Sequence, residues 1–242
     1  MSTEEAAPPP AADCPRCGKP AALCICAEIR PIDNRVAVLI LQHPQEQDRA
    51  LGTARLTALH FKHATLRIGL SWASLGAALG RAADTKRWAV LYLGSVKPAE
   101  LAPDREIVAL DRKGAALPDQ EAGLADIEGV VLFDGTWSQA KALWWRNPWV
   151  LKLRRLALNP RTPSRYGAVR REPRSDSLST LEATGLLLSR LENKPEIETR
   201  LAESFERLLQ RLREQPGGLT LGTRRGRPQP RRRHRQKHGA RR

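Results

Sequence analysis

The chain has 242 residues, which is enough for one sizeable domain with additional segments. Its 41 Lys and Arg residues exceed its 26 Asp and Glu residues, and the formal net charge is +15. No apolar run approaches the roughly 18 residues that a membrane span needs. Glu4 and Glu5 stand where a secretory signal is positively charged. The sequence therefore predicts a cytoplasmic protein without membrane contact, and it indicates no obligatory protein partner.

The N-terminal region contains every cysteine of the chain. Residues 1–12 are rich in Ala and Pro and are predicted to form a disordered leader. The four cysteines follow in the pattern CxxC-x6-CxC, which in a reducing cytoplasm is typical of a tetrahedral zinc site. A redox pair is the alternative, but no strand-then-helix pattern surrounds the first two cysteines. Residues 13–30 are thus predicted to be a small knuckle with structural zinc, bound by Cys14, Cys17, Cys24 and Cys26.

Residues 31–215 alternate between short apolar runs and helical patterns. The apolar runs predict six strands, at 36–41, 64–70, 88–93, 106–110, 129–133 and 150–158. Helices are predicted from about residue 52, after the fifth strand as far as residue 146, at 178–191 and at 195–213. This alternation predicts an α/β fold, in which helices cover both faces of a mainly parallel sheet. The chain contains neither a GxGxxG nor a Walker A nucleotide motif.

Polar clusters follow several of the predicted strands. The sequence Asp134-Gly135-Thr136-Trp137 lies where the fifth strand ends and a helix begins. Because the carboxyl ends of parallel strands meet at one edge of a sheet, these clusters are expected to form one ligand site. Helix capping is the alternative explanation for Asp134 and Thr136. The other clusters at this edge contain His43, Gly94 with Ser95, and residues 178–182.

Three of these features also have purely structural explanations. His43 is able to stabilise a turn without contacting a ligand. Ser179 and Glu182 have the spacing of a capping box, although the N-terminus of a helix also binds anions. Core and helix packing is predicted for the cluster of Trp144, Trp145 and Trp149, with base stacking as the alternative.

Two basic segments favour RNA as the partner. Residues 161–177 form a long polar loop with many Arg residues, and loops of this length are usually functional or disordered. Residues 216–242 are predicted to form a disordered basic tail, and its segment 224–242 holds ten Lys or Arg residues and no acid. Such a segment neutralises RNA phosphates. A tail that only increases solubility has the same composition.

The order of these motifs from Cys14 to about Leu191 closely resembles the DTW-domain family, named for the pattern of Asp134, Thr136 and Trp137. One departure occurs at Leu93-Gly94, where members tend to carry Pro, so the cofactor loop is expected to differ in shape. The other shared elements are the cysteine knuckle, His43-Pro-x-Glu46, Thr53-Ala-Arg55-Leu56, Gln139-Ala-Lys141, Arg170-Arg171-Glu-Pro173 and Leu178-Ser179-Thr180-Leu-Glu182-Ala183.

This resemblance implies a tRNA-uridine aminocarboxypropyltransferase whose catalytic domain, residues 31–215, is related to the knotted SPOUT methyltransferases. The implied reaction transfers the 3-amino-3-carboxypropyl group of S-adenosylmethionine to N3 of a uridine in tRNA and releases methylthioadenosine. An S-adenosylmethionine-dependent RNA methyltransferase is the nearest alternative, because it shares the donor and the fold. A non-catalytic zinc-knuckle RNA-binding protein is the other alternative, and it requires neither Asp134 nor the donor.

The resemblance also implies roles for individual residues. Asp134 is the candidate catalytic base, because a uridine imide is a poor nucleophile until it is deprotonated. Its alternative role is to bind the amino group of the donor, while Trp137 stacks on adenine or on the extruded uridine. The expected donor-binding residues are Gly94, Ser95, Asp134, Thr136, Trp137, Leu178, Ser179, Thr180 and Glu182. The expected RNA-binding residues are His43, Arg55, Arg161, Arg165, Arg170 and Arg171.

Overall fold

The structure of the protein, a computed structural model, describes residues 13–47, 49, 51–93, 102–165 and 178–215. The predicted leader and the predicted basic tail lie outside these described residues. Most of the Arg-rich loop also lies outside them.

One sheet forms the centre of the described chain. Its strands are β1 (Ala37–Gln42), β2 (Ala64–Ile68), β3 (Trp88–Leu91), β4 (Ile107–Leu110), β5 (Gly129–Asp134) and β6 (Arg154–Leu158). The strand order is β2-β1-β5-β3-β6-β4, and every pairing is parallel except that of β4 with β6. β1 and β5 pair from Ala37 beside Gly129 to Gln42 beside Asp134, so both strands end at the same edge.

Helices pack on both faces of the sheet. Within the described ranges they are α1 (Ala54–Leu59), α2 (Leu75–Leu79), α3 (Gln120–Leu124), α4 (Trp137–Arg146), α5 (Thr180–Leu191) and α6 (Pro195–Glu214). Val38 and Val130 belong to the hydrophobic cluster that contains α5 and α6. Their chain neighbours Leu39 and Val131 belong to a second cluster, which contains α2 and Trp144 of α4. The prediction of a mainly parallel α/β sheet with helices on both faces is therefore confirmed.

The cysteine segment packs against the same core as the sheet. Leu23 and Ile25 are buried in the cluster that includes β1 and α6. Arg211 of α6 donates hydrogen bonds to the backbone oxygen of Cys24 and, over 2.8 Å, to the carboxylate of Glu28. Ordinary core packing and α6 therefore hold this segment in place, in addition to its cysteines.

The structure differs from the prediction in the last strand. The strand predicted over 150–158 begins only at Arg154, because Pro148–Lys152 forms a 3-10 helix. Proline at the first position of this helix removes a donor and favours its start. The buried Asn147 before it donates to the backbone oxygen of Leu70 over 3.1 Å, which holds the turn against the rest of the fold.

The sequence did not predict α3 or the antiparallel direction of β4. Gln120 of α3 accepts from the backbone N–H of Ala109 over 2.8 Å and donates to its carbonyl over 3.0 Å. α3 therefore covers the outer edge of β4, where backbone groups would otherwise lack partners. The relation to SPOUT methyltransferases and the knot stay predictions. In the described part of the chain, no helix combines the length and apolarity that crossing a membrane requires.

A buried histidine connects α1 to α6. His60 lies within hydrogen-bonding distance of the Leu56 carbonyl through Nδ1 and of the Ser204 hydroxyl through Nε2, both at 2.8 Å. The carbonyl only accepts, so Nδ1 carries the proton and Nε2 accepts from Ser204. Burial lowers the pKa of His60 below its ordinary value of 6.5, and the Arg200 charge adds to this effect, while the Leu56 bond opposes it.

Acidification should destabilise the protein through this histidine. In the unfolded chain His60 is protonated near pH 6.5, whereas in the folded protein it stays neutral to a lower pH. The contribution of neutral His60 to the free energy of unfolding is therefore complete above pH 6.5 and is lost as the pH decreases below it. We expect His60→Gln to flatten the decrease in the free energy of unfolding between pH 7 and about 5. Urea denaturation at several pH values measures this decrease, with the exposed His63→Gln as the control. An unaltered decrease in His60→Gln would contradict the assignment.

Candidate active site at the carboxyl edge of the sheet

Asp134, the last residue of β5, is 8% exposed and carries the central charge of the edge. Its Oδ2 accepts a hydrogen bond from Gln42 Nε2 of β1 over 2.9 Å. Its Oδ1 accepts from the hydroxyl of Thr180, the first residue of α5, over 2.5 Å. The ends of two neighbouring strands and the start of a helix therefore meet at one carboxylate.

Gln42 contributes a second acceptor at this point. While its Nε2 donates to Asp134, its Oε1 is buried and has no hydrogen-bond partner among the described residues. An unpaired buried carbonyl is costly in free energy and calls for a donor. We refer to the Asp134 carboxylate and Gln42 Oε1 as the acceptor pair. Sequence reasoning missed Gln42, because it follows an apolar strand directly and matches no motif of its own.

The turn after Asp134 is fixed by backbone contacts. Thr136 caps α4: its hydroxyl accepts from Gln139 N–H over 3.4 Å, and the Gln139 side chain accepts from Thr136 N–H over 2.6 Å. The capping explanation therefore holds for Thr136, whereas the Asp134 side chain bonds elsewhere. A Cβ at Gly135 would lie 2.9 Å from Gln139 and 3.4 Å from His43, so the close approach of these residues requires glycine. His43 donates its own N–H to the Asp134 carbonyl over 2.9 Å.

Ser179 and Glu182 form the predicted capping box of α5. Glu182 also accepts from the Ser164 hydroxyl and from Arg165 N–H, each over 2.7 Å, and so attaches residues 164–165 to α5. Leu178 packs against the core. These side chains hold the start of α5 beside Asp134, and a helix N-terminus carries partial positive charge.

The tryptophans fall into two groups. Trp144 and Trp149 are buried, as predicted. Trp145 is 75% exposed, so the prediction that it packs in the core is wrong. Adjacent side chains of a helix point about 100° apart, so Trp145 points away from the core when α4 buries Trp144. Trp137 is 39% exposed, with the Lys141 ammonium 5.2 Å from its ring centroid.

The residues predicted to bind RNA lie at different places. Arg55 at the start of α1 lies over Gly18 of the cysteine segment, and its buried Nε has no hydrogen-bond partner in the described ranges. Arg161 donates to the Asp104 carbonyl over 3.2 Å, while the side chain of Arg165 is exposed. Gly94, Ser95, Arg170 and Arg171 lie outside the described residues.

The four cysteines converge on one point. Their sulfur atoms all lie within 4.8 Å of one another, and Cys14 Sγ is 3.9 Å from Cys26 Sγ. Backbone N–H groups of Cys17 and Arg16 lower the pKa of Cys14 to about 6, which favours the metal-binding thiolate. Burial raises the pKa of Cys26. Four sulfur donors at these separations fit a single tetrahedral metal ion.

Lys19 connects the cysteine segment with Asp134. Its side chain is 2% exposed, and its ammonium donates to the Gly52 carbonyl over 2.8 Å. Burial lowers the pKa of Lys19 to about 8, and the charges of Cys17 and Asp134 oppose this decrease. Cysteine cluster and carboxylate therefore act on the same buried cation. No sequence signal marked Lys19, because its burial depends on how distant segments pack.

Comparison with known proteins gives a consistent result. The DTW domain matches residues 11–213. A Drosophila melanogaster protein named tRNA-uridine aminocarboxypropyltransferase 2 is 31% identical over 204 residues, covering 81% of this chain and 72% of the relative. Proteins of the same name from Mus musculus and Macaca fascicularis are 29% and 26% identical, and each alignment covers 81% of this chain and 62% of the relative. No solved structure matches the chain significantly.

Removing the Thr180 hydroxyl should destabilise the protein. Thr180→Val keeps the shape of the side chain but takes a donor from a buried carboxylate, which costs about 1–3 kcal/mol of unfolding free energy. Thr180→Ser keeps the hydroxyl and should recover most of this loss. Urea denaturation measures both variants. Equal stability of Thr180→Val and the unsubstituted protein would show that the bond does not hold Asp134.

Proposed function

The chain belongs to the DTW-domain family, and from this premise we propose that it is a tRNA-uridine aminocarboxypropyltransferase. Relatives from fly and mouse that carry this name align with 81% of the chain. The observation that carries the proposal is the acceptor pair beside the N-terminus of α5. Two acceptors next to a positive helix end match a ligand with an ammonium group and a carboxylate.

S-adenosylmethionine is the donor that fits this arrangement. When bound, it supplies a sulfonium whose aminocarboxypropyl chain is transferred to N3 of a uridine, with methylthioadenosine as the by-product. The acceptor pair would bind the ammonium of that chain, and the start of α5 would bind its carboxylate. A sulfonium has three carbons open to attack, so fixing both ends of one chain selects the carbon that reacts.

Two roles for Asp134 follow from its contacts. As a donor anchor, it holds the ammonium together with Gln42 Oε1, and the unpaired state of that atom favours this role. As a base, it takes the proton from uridine N3 and needs that atom within about 3 Å. In both roles Trp137 offers an exposed ring beside Asp134 for adenine or uridine.

We infer that the cysteine cluster binds zinc in a structural role. Four thiolates fill the tetrahedron and leave no position open for a substrate, which is typical of structural zinc. The ion would fix the segment that carries the buried Lys19. Arg55, Arg161 and Arg165 remain proposed phosphate contacts for the tRNA, and His43 remains a proposed RNA contact at the edge.

Asp134→Asn should abolish transfer without unfolding the protein. The amide oxygen can still accept from Thr180, and a turned Gln42 side chain can accept from the new NH2 group. We expect turnover to decrease about 10²–10⁴-fold. The assay is incubation with S-adenosylmethionine and tRNA, followed by mass spectrometry of the nucleosides and of the adenosyl by-product. Asp33→Asn, a surface acid outside the site, is the matched control.

The same assay separates the alternatives. Methylthioadenosine supports aminocarboxypropyl transfer, adenosylhomocysteine would indicate a methyltransferase, and neither by-product would indicate a binding protein. Calorimetric titration with S-adenosylmethionine then distinguishes the roles of Asp134. A donor anchor predicts weaker donor binding in Asp134→Asn, whereas a base predicts unchanged binding with lost turnover. Full turnover of Asp134→Asn would contradict both.

Metal analysis tests the cysteine cluster. We expect one zinc ion per chain and loss of most of it in Cys26→Ser, because the tetrahedron loses one ligand. Metal at a hundred times its Kd stabilises by about 2.7 kcal/mol, so a chelator should lower Tm by roughly 5–10 °C. Asp13→Asn, next to the cluster but outside the ligand set, serves as the control. Stoichiometric zinc in Cys26→Ser would rule out the four-sulfur site.

A further inference from the structure

An exposed aromatic surface runs along α4 away from Asp134. Trp137, Lys141 and Trp145 recur every four residues, and all three side chains are exposed. We call these three residues the indole stripe. Its two rings are 39% and 75% exposed, and it extends about 12 Å along the helix. An indole as exposed as that of Trp145 contributes little to the core, and together with Trp137 and Lys141 it gives α4 an outward face that is open to a partner.

The charge around the indole stripe indicates its partner. From residue 135 to residue 171 the chain contains nine Lys or Arg residues and no Asp or Glu. Lys141 lies between the two rings of the stripe, and Arg146 is exposed next to Trp145. α4 contains two cations and no acid, and a helix of this kind with separated aromatic rings matches single-stranded nucleic acid, whose bases stack on rings while cations bind its phosphates.

The position of the indole stripe ties it to the site. α4 begins three residues after Asp134, and the capping box of Thr136 fixes the direction in which the helix leaves the edge. Trp137 is therefore next to the reacting end, and Trp145 lies two turns further out. An RNA strand with stacked bases would cover the roughly 12 Å from Trp137 to Trp145 with about three to four nucleotides, since stacked bases are about 3.4 Å apart.

We propose that the indole stripe binds unpaired nucleotides that flank the target uridine. A flanking base stacks on Trp145, and Lys141 binds a phosphate of the strand that connects this base to the uridine. This inference rests on the proposed function for the identity of the RNA as tRNA and for the target uridine at Asp134. It gives a role to the tryptophan on the surface of a helix that buries the neighbouring Trp144.

The direct test is the affinity for an unmodified tRNA transcript, measured by fluorescence anisotropy without S-adenosylmethionine. Trp145→Ala should weaken binding about tenfold, as expected for loss of one stacked base. Trp145→Phe retains a ring and should restore most of the affinity, whereas Trp145→Leu retains only apolar surface and should not. Leu151→Ala removes another exposed apolar side chain and should bind like the unsubstituted protein.

Tryptophan fluorescence provides an independent readout on the folded protein. The exposed ring of Trp145 should be open to acrylamide quenching, and adding the transcript should protect it. In Trp145→Phe this protected component should be smaller, because only the contribution of Trp137 remains. Unchanged tRNA affinity of Trp145→Ala, or equal affinities of the Phe and Leu variants, would overturn the proposal. A dimer that Trp145→Ala dissociates, with RNA affinity unaltered, would assign the surface to a protein interface instead. None of these measurements requires turnover, so failure of the transferase proposal would be recognised separately.

Discussion

The hydrogen bonds to the buried Asp134 carboxylate are the constraint on which the site depends. A charge at this depth requires donors, and they come from Gln42 on β1 and Thr180 on α5, which are 92 and 46 residues away in the chain. β1 must therefore lie beside β5 in exact register, and α5 must return to the same edge. The parallel pairing of Gln42 with Asp134 sets the register of β1 and β5. The hydrogen bond from Arg165 N–H to Glu182 attaches the segment before α5 to the start of that helix.

The cysteine segment belongs to the same electrostatic unit. Lys19 brings a cation into the interior, where its ammonium donates to the Gly52 carbonyl and where the charges of Cys17 and Asp134 oppose the decrease in its pKa. Arg55 packs against Gly18, so α1 also contacts this segment. Order in the cysteine segment therefore bears on the packing of α1 and on the burial of Lys19.

Local signals account for what the sequence predicted correctly. Apolar runs identified β1 and β5, and the spacing of Ser179 and Glu182 identified a helix start. Gln42 and Lys19 were missed because their burial is set by residues far away in the chain. The run at 150–158 was mistaken for one strand, since apolar residues suit a buried 3-10 helix equally well. Helical periodicity separates the directions of Trp144 and Trp145 by about 100°, which is compatible with one buried and one exposed ring. The closeness of three tryptophans in the sequence favours core packing for all of them, and this signal is misleading for Trp145.

The two helices that start at this edge suggest a division between donor and acceptor. α5 points its N-terminus at the acceptor pair, where a compact group with both charges fits. α4 starts on the other side of Asp134 and carries an exposed, acid-free surface suited to a polyanion. In the proposed reaction, a donor held on one side and an RNA strand held on the other would meet at Asp134. Contacts away from the reacting atoms would then fix each ligand, so that binding energy positions the carbon and the nitrogen before a bond forms.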